Sequence, residues 1–261
     1  MKPTIPILLS LTATALLLSH CATTTVGGGS GSGGLPPATK ESPFVNSLGM
    51  KFVPVPGTKI LMCTTETTVA QYQAAGMGYE APPFSQGSDH PAVNVSWNDA
   101  KAWCAWLSKK EGRKYRLPTD AEWSAAVGSS TYPWGYSWPP PNNCGNYMGQ
   151  EHKGSAAAVA YFKSFLNQSG FWSVIGGFRD NHVFTAPVGS YPGNGLGIYD
   201  LGGNVWEWCE DWHPDHRGEY RVLRGGSWYD FYRVRLASSY RDDFTPGFRD
   251  HGIGFRCVVG R

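Results

Sequence analysis

Residues 229–252 contain no Lys, Glu, Gln, Met or Trp. These five types make up about 15% of the whole chain. A gap of 24 residues therefore arises by chance with a probability of only about a few per cent, judged against ordinary composition. The residues that do occur there are all of types encoded by codons ending in a pyrimidine. The stretch is rich in Tyr, Phe, Asp and Arg, with Ser, Gly and His. That is the palette of a binding surface, where aromatic rings give contact area at low entropic cost and small polar residues adapt their hydrogen bonds. An ordinary aromatic surface loop is the plain alternative.

Other absences narrow the chemistry. There is no Cys-x-x-Cys and no cysteine pair at zinc-ligand spacing, which argues against zinc and thioredoxin-like sites. The seven histidines are scattered, and none pairs with a carboxylate at metal spacing. His213 and His216 fall in a Pro/Asp turn and His90 precedes Pro91, so surface or loop positions are expected. No nucleophile elbow accompanies any Ser/His/Asp set. Only 16% of residues are charged, the net charge is +2 and no basic run occurs. Nucleic acid is therefore not an expected partner. Gly (33), Pro (19) and Trp (11) are abundant, which predicts a loop-rich fold of short elements.

The longest apolar run, residues 5–18, is too short and wrongly flanked to span a membrane. Lys2 precedes it and Ser19-His20-Cys21 follows. This resembles a bacterial lipoprotein signal in which Cys21 is lipidated and becomes the first mature residue. His20 stands where a small residue is usual, and a plain secretory signal is the alternative. Residues 22–34 are rich in Thr, Gly and Ser, a flexible tether without means of packing. The expected organisation is a signal over residues 1–20, a tether over 21–45 and one folded domain over 46–261. A lipid anchor would hold the domain at the outer membrane or cell surface. Cys21 aside, Cys63, Cys104, Cys144, Cys209 and Cys257 remain. An odd number in an exported protein predicts at least one disulfide and one thiol left over.

Local signals place several elements. Residues 50–56 read as a strand, and residues 64–75 as a short amphipathic helix. Residues 91–97 read as extended. Ser96 caps a helix over Trp97 to Glu111 that presents Ala100, Trp103, Cys104 and Leu107 on one face, and Gly112 ends it. Thr119 with Glu122 three residues on is a capping box for a second helix. Residues 133–192 lose periodicity and predict long ordered loops. From Gly195 strand-like segments return: Ile198-Tyr199, then residues 203–208, 221–228 and 252–259.

Five motifs occur in order. They are Pro91-Ala92-Val93-Asn94-Val95-Ser96-Trp97 running on to Cys104, Arg116-Leu117-Pro118-Thr119-Asp120-Ala121-Glu122-Trp123, Gly203-Asn204-Val205-Trp206-Glu207-Trp208, Arg224-Gly225-Gly226-Ser227-Trp228, and Gly254-Phe255-Arg256. Together they resemble the formylglycine-generating-enzyme domain, over nearly all of residues 46–261. The resemblance implies an α+β, irregular and loop-rich C-type lectin fold. Catalytic members use two cysteines just after Gly-Gly-Ser, which bind copper through soft sulfur. Here those positions fall on Asp230 and near Arg235, and no Cys lies between Cys209 and Cys257. Thiolate chemistry is therefore not expected, and no cofactor is required.

A non-catalytic branch of this fold carries the variable region of diversity-generating retroelements. There, mutagenesis of pyrimidine-ending codons never reaches Lys, Glu, Gln, Met or Trp. The resemblance to a surface lipoprotein of that branch implies a monomer binding a protein or glycan. Its exposed variable positions would be Tyr229, Asp230, Phe231, Tyr232, Tyr240, Asp242, Asp243, Phe244, Phe248 and His251. Trp228, Ala237, Arg241, Ile253 and Phe255 would be scaffold. An accessory or scaffold pseudoenzyme is the competing reading. The family further implies a Cys104–Cys257 disulfide. It also implies a structural calcium ion on the Asp200 and Glu207 side chains with the Gly203 and Val205 carbonyls, an oxygen set that suits this ion. A second implied set falls on Asn146, Tyr147, Asp180 and His182, where His is a poor match for a hard cation.

Overall fold

The structure is a computed structural model that describes Gly34, residues 36–165 and residues 173–260. The expected signal, Cys21 and most of the tether lie outside the described residues. The described chain forms two small sheets, four α-helices and long ordered connections.

The first sheet has the order β1-β2-β3-β9-β4. Its strands are β1 (Phe44–Val45), β2 (Lys51–Pro54), β3 (Ile60–Cys63), β4 (Lys114–Arg116) and β9 (Val258–Gly260), paired antiparallel. The folded part thus begins before residue 46. Phe44 pairs with Phe52, Ala38 packs on the core and Lys40 Nζ donates to the Gly195 carbonyl at 3.1 Å. Ala38, Lys40 and Phe44, which fall inside the expected tether of residues 21–45, are therefore packed, hydrogen-bonded or strand-paired.

The second sheet has the order β7-β6-β5-β8. Its strands are β5 (Trp206–Trp212), β6 (Arg221–Arg224), β7 (Asp242–Phe244) and β8 (Ile253–Gly254), and the β5–β8 pair is parallel. Ile198-Tyr199, expected to be extended, stays outside any strand.

The helices follow their caps. α1 (Val69–Gln73), α2 (Trp97–Glu111) and α3 (Asp120–Val127) each start with a complete capping box, on Thr68, Ser96 and Thr119. Each box satisfies first-turn amides that the helix itself leaves unpaired. α2 ends at Gly112 with φ 64°, a left-handed turn that suits glycine. The four apolar positions read from the sequence of α2 are buried. They enter one core with Trp206, Trp208, Leu223, Phe255 and Cys257. α4 (Ala156–Phe165) interrupts the region expected to be loop and buries Ala158, Tyr161 and Phe162. No helix among the described residues is long and apolar enough to cross a membrane.

Candidate functional site

The segment 229–252 leaves from β6 and returns into β8, so both its ends sit on the same sheet. The entry is rigid. Arg224 is fully buried; it pairs with Asp120, donates to Ser124 Oγ at 2.9 Å and to the Ser238 carbonyl at 2.5 Å, and lies 4.4 Å from the Trp123 ring centroid. Gly225 and Gly226 have φ of 102° and 82°. A Cβ on Gly226 would come within 2.7 Å of Leu236, so the turn that aims Ser227 requires glycine there. Trp228 is buried and donates its indole N–H to the His251 carbonyl at 3.1 Å. Tyr161, Phe162, Phe184 and Tyr229 pack around its ring. At the exit, Trp206 N–H donates to the Gly252 carbonyl at 2.8 Å, and Ile253 and Phe255 are buried. Arg241 donates to Asp120 at 2.8 Å. Trp228, Arg241, Ile253 and Phe255 are thus the scaffold that the sequence predicts. Ala237 is half-buried and its N–H donates to the Val234 carbonyl.

Asp230 departs from its expected exposed place. It is 3% exposed, and its Oδ2 accepts from Ser227 N at 2.9 Å and Ser227 Oγ at 2.7 Å. Arg235 Nε lies 3.2 Å from Asp230 Oδ1, and Arg235 also pairs with Asp242. The two positions where catalytic cysteines are expected therefore face each other as an ion pair. Burial raises the Asp230 pKa, and Arg235 opposes that rise. The Arg235 guanidinium lies over the Trp206 ring, 5.3 Å from its centroid.

The aromatic residues divide by what supports them. Tyr229 and Phe231 rest on the cluster around α4 and Trp228; Tyr229 Oη donates to Asp250 at 2.6 Å. Tyr240, Phe244 and Phe248 are half-buried against the central core, the last two stacked with centroids 4.1 Å apart. His251 Nδ1 lies 3.1 Å from Tyr161 Oη. Tyr232 (58%) and Val234 (66%) are the exposed large apolar side chains of the segment. Arg233, Val234 and Arg249 are exposed but absent from the expected set; only their codon class singles them out in sequence.

The first calcium set does not fit the ion. Glu207 is buried and both its oxygens are engaged: Arg256 donates to Oε1 at 2.6 Å and to Oε2 at 2.7 Å, and Trp123 Nε1 donates to Oε2 at 3.0 Å. Asp200 accepts from Gly189 N at 2.6 Å, and burial raises its pKa to about 6. Gly203 and Val205 flank Asn204 in the same turn, but the carboxylate they would share is held by Arg256.

The second set is assembled differently. Asp180 accepts from Tyr147 N at 2.7 Å and His182 N at 2.9 Å, and Asn146 Oδ1 is buried without a partner among the described residues. Burial and the Glu151 carboxyl push the Asp180 pKa up to about 9.

The expected Cys104–Cys257 disulfide is not formed. Both are free thiols, buried side chains of the central core. Burial raises the Cys257 pKa well above the usual thiol value, with Cys63 and Cys104 adding to the effect.

Among solved structures, the fold is similar to PvdO from Pseudomonas aeruginosa, with a TM-score of 0.58 and 26% identity over 77% of this chain and 80% of that one. It is also similar to Treponema denticola variable protein 1, with a TM-score of 0.57 and 24% identity over 77% of this chain and 84% of that one. Among curated sequences, a formylglycine-generating enzyme of Streptomyces coelicolor is 35% identical over 193 residues, 65% of this chain and 52% of the relative. An inactive Cα-formylglycine-generating enzyme 2 of Bos taurus is 36% identical over 183 residues, 66% of this chain and 51% of the relative. The chain thus spans about half the length of these curated relatives. Residues 37–261 match the sulfatase-modifying factor enzyme 1-like domain. With its two-sheet α+β fold and buried Gly-Gly-Ser-Trp turn, the chain belongs to the sulfatase-modifying factor, or formylglycine-generating-enzyme, family.

Proposed function

We propose that this chain is a non-catalytic, surface-displayed ligand-binding lipoprotein whose residues 229–252 form a variable binding face. The observation that carries the reading is that five residue types are missing from a segment clamped at both ends, in which Tyr232, Arg233, Val234, Ser239, Thr245, Gly247 and Arg249 are exposed. The pairing of Asp230 with Arg235 supports the non-catalytic part, because a carboxylate and a guanidinium supply no nucleophilic thiolate. The family includes a relative named as inactive. The similar fold of a protein named as variable agrees with display.

The ligand is a protein or glycan met at the outer surface, and the Cys21 lipid anchor keeps the domain there. Exposed Tyr232 and the edges of Phe231, Phe244 and Phe248 supply contact area. A few such rings, each worth roughly 2 kcal/mol or more on truncation, dominate an interface. The Arg and Asp residues between them set specificity. A calcium ion would belong to this reading only at the second expected set, Asn146, Tyr147, Asp180 and His182, where its charge would offset that of Asp180 and Glu151.

The partial burial of Tyr240, Phe244 and Phe248 favours the scaffold reading, and one experiment separates the two. Tyr232, Arg233, Val234, Thr245 and Arg249 are replaced together with other residues of pyrimidine-ending codons, and the protein is screened on protein and glycan arrays. Display predicts a changed ligand at a melting temperature shifted by only a few degrees. An unchanged binding profile means that these positions touch no ligand. The gene adds an independent check: display predicts a near-copy of the terminal coding segment that differs at adenines, beside a reverse transcriptase.

A further inference from the structure

The turn between β5 and β6 carries His213 and His216, and β7 carries Asp243. Residues 213 and 243 are far apart in sequence, yet the sheet brings them together. Val222 of β6 pairs with Asp243, and His213 N–H donates to the Tyr220 carbonyl at 2.8 Å. One ligand atom from each of His213, His216 and Asp243 lies within 4.8 Å of the other two. His216 Nδ1 contacts Asp243 Oδ2 directly, and His213 Nδ1 is 3.8 Å from the same oxygen. The two imidazole rings lie 5.3 Å apart at 28°.

We propose that His213, His216 and Asp243 bind a divalent transition-metal ion of the zinc class and so fasten the β5–β6 turn to β7. Two imidazole nitrogens and one carboxylate oxygen form a set that suits zinc, nickel or copper, whereas calcium and magnesium prefer oxygen alone. A zinc ion holds nitrogen and oxygen ligands at about 2.0–2.2 Å, which places them roughly 3.3 Å from one another. The observed contacts bracket that spacing: His216 Nδ1 sits closer than this to Asp243 Oδ2, and His213 Nδ1, at 3.8 Å, slightly beyond it.

His213 makes the arrangement informative. Its Nδ1 accepts from Asp215 N at 3.3 Å, so it is the unprotonated nitrogen, and an ion bound there would displace this long hydrogen bond. The Asp243 Oδ2 that His216 contacts also lies 3.8 Å from His213 Nδ1, so an ion that took the place of the His216 proton would find both imidazoles beside one carboxylate oxygen. Tyr220 supports the His216 ring edge-on with centroids 5.1 Å apart. His216 is about half exposed (48%), so the remaining coordination positions open to solvent or to a partner.

Asp243 lies inside the segment 229–252 and both histidines lie outside it. The fixed part of the fold would therefore offer two ligands, and the residue at 243 would decide whether the third is supplied. The site stands or falls independently of the display reading, because its test measures the ion and no other ligand.

The test uses the full chain without a polyhistidine tag, stripped with EDTA and titrated with ZnCl2 by calorimetry, then with CoCl2 by visible absorption. One ion per chain is expected, together with the d–d bands of a nitrogen- and oxygen-ligated cobalt. His216→Ala and Asp243→Asn should each weaken zinc binding more than about a hundredfold, beyond the roughly 10–100-fold that the loss of a supporting partner costs. Asp243→His should keep the affinity within about tenfold, because it restores a ligand. If His216→Ala lowers the metal-free melting temperature by more than a few degrees, His216→Gln replaces it. Absence of zinc binding, or equal affinity in the Ala, Gln and Asn variants, overturns the proposal and leaves His216–Asp243 a plain ion pair.

Discussion

Asp230 and Tyr232 are two residues apart and do opposite work. Asp230 closes the Gly-Gly-Ser turn and neutralises Arg235 from beneath, while Tyr232 points outward. Asp230→Ala strands two Ser227 donors and a half-buried guanidinium, so a loss of about 2–4 kcal/mol is expected in urea unfolding. Tyr232→Ser should stay within about 0.5 kcal/mol of the parent. Equal effects would mean that the turn does not depend on its carboxylate. Composition marks both residues alike, since a buried Asp and an exposed one belong to the same codon class. What distinguishes them is Arg235 folding back, a contact set by tertiary closure and invisible in local pattern. Asp200 gives a second residue-scale test. Burial lifts its pKa to about 6, so the folded state holds the proton more tightly than the unfolded chain. Its contribution is full below the ordinary aspartate value near 4 and is lost as pH rises through about 6. Glu66, also raised by burial and by Asp200, acts in the same direction. Asp200 has φ 54°, which Asn tolerates well. The melting temperature of Asp200→Asn should therefore fall less than that of the parent between pH 4 and pH 6, by several degrees. A parallel pair of curves would place Asp200 outside the proton balance.

The helices show how element signals succeed and fail. α2 and α3 were legible because Ser96 and Thr119 carry the capping box and Gly112 the stop, all within one turn of the ends they define. α4 was not, because the prolines and glycines around it read as punctuation and its run of alanines has weak periodicity. Ala has the highest intrinsic helix propensity, and packing of Tyr161 and Phe162 against Trp228 completes the element. Strand pairing was least legible. β8 pairs in parallel with β5 through only Ile253 and Gly254, too short for any alternation. The meeting of α2, β3 and the start of β9 also sets cysteine chemistry. Cys63 and Cys104 are buried with Cys257, and burial pushes the Cys104 pKa up to about 12. Native protein should resist iodoacetamide at pH 7, because thiolate is scarce. After denaturation without reductant, Cys63, Cys104, Cys144, Cys209 and Cys257 should all be labelled, as counted by mass spectrometry. Labelling of three, with Cys104 and Cys257 spared, would show that those two had joined.

At the scale of the molecule, the last strand is a central one. β9 pairs with β3 on one side and β4 on the other, so the chain end joins parts made far earlier in the sequence. Termination after Cys257 removes Val258 and Val259 from both core clusters and unpairs two strands. The shortened chain should show no cooperative thermal transition by circular dichroism; a retained transition would mean that β3 and β4 hold without β9. The five motifs were legible because each is an anchor: Arg224 on Asp120, Arg256 on Glu207, Trp228 under the α4 cluster. The arrangement between anchors was not, and the His213–His216–Asp243 grouping least of all, since its members meet only when β6 pairs with β7. The same pairing has a consequence for length. Segment 229–252 departs from β6 and lands on β8, the two neighbours of β5, so its ends are a fixed two strands apart whatever lies between. Closing a flexible loop twice as long costs only about 0.6 kcal/mol more. The fold therefore behaves as a socket: a foreign peptide spliced between Ser239 and Gly247 would cost β7 yet return to the same two contacts, and the strands on either side would be blind to its length.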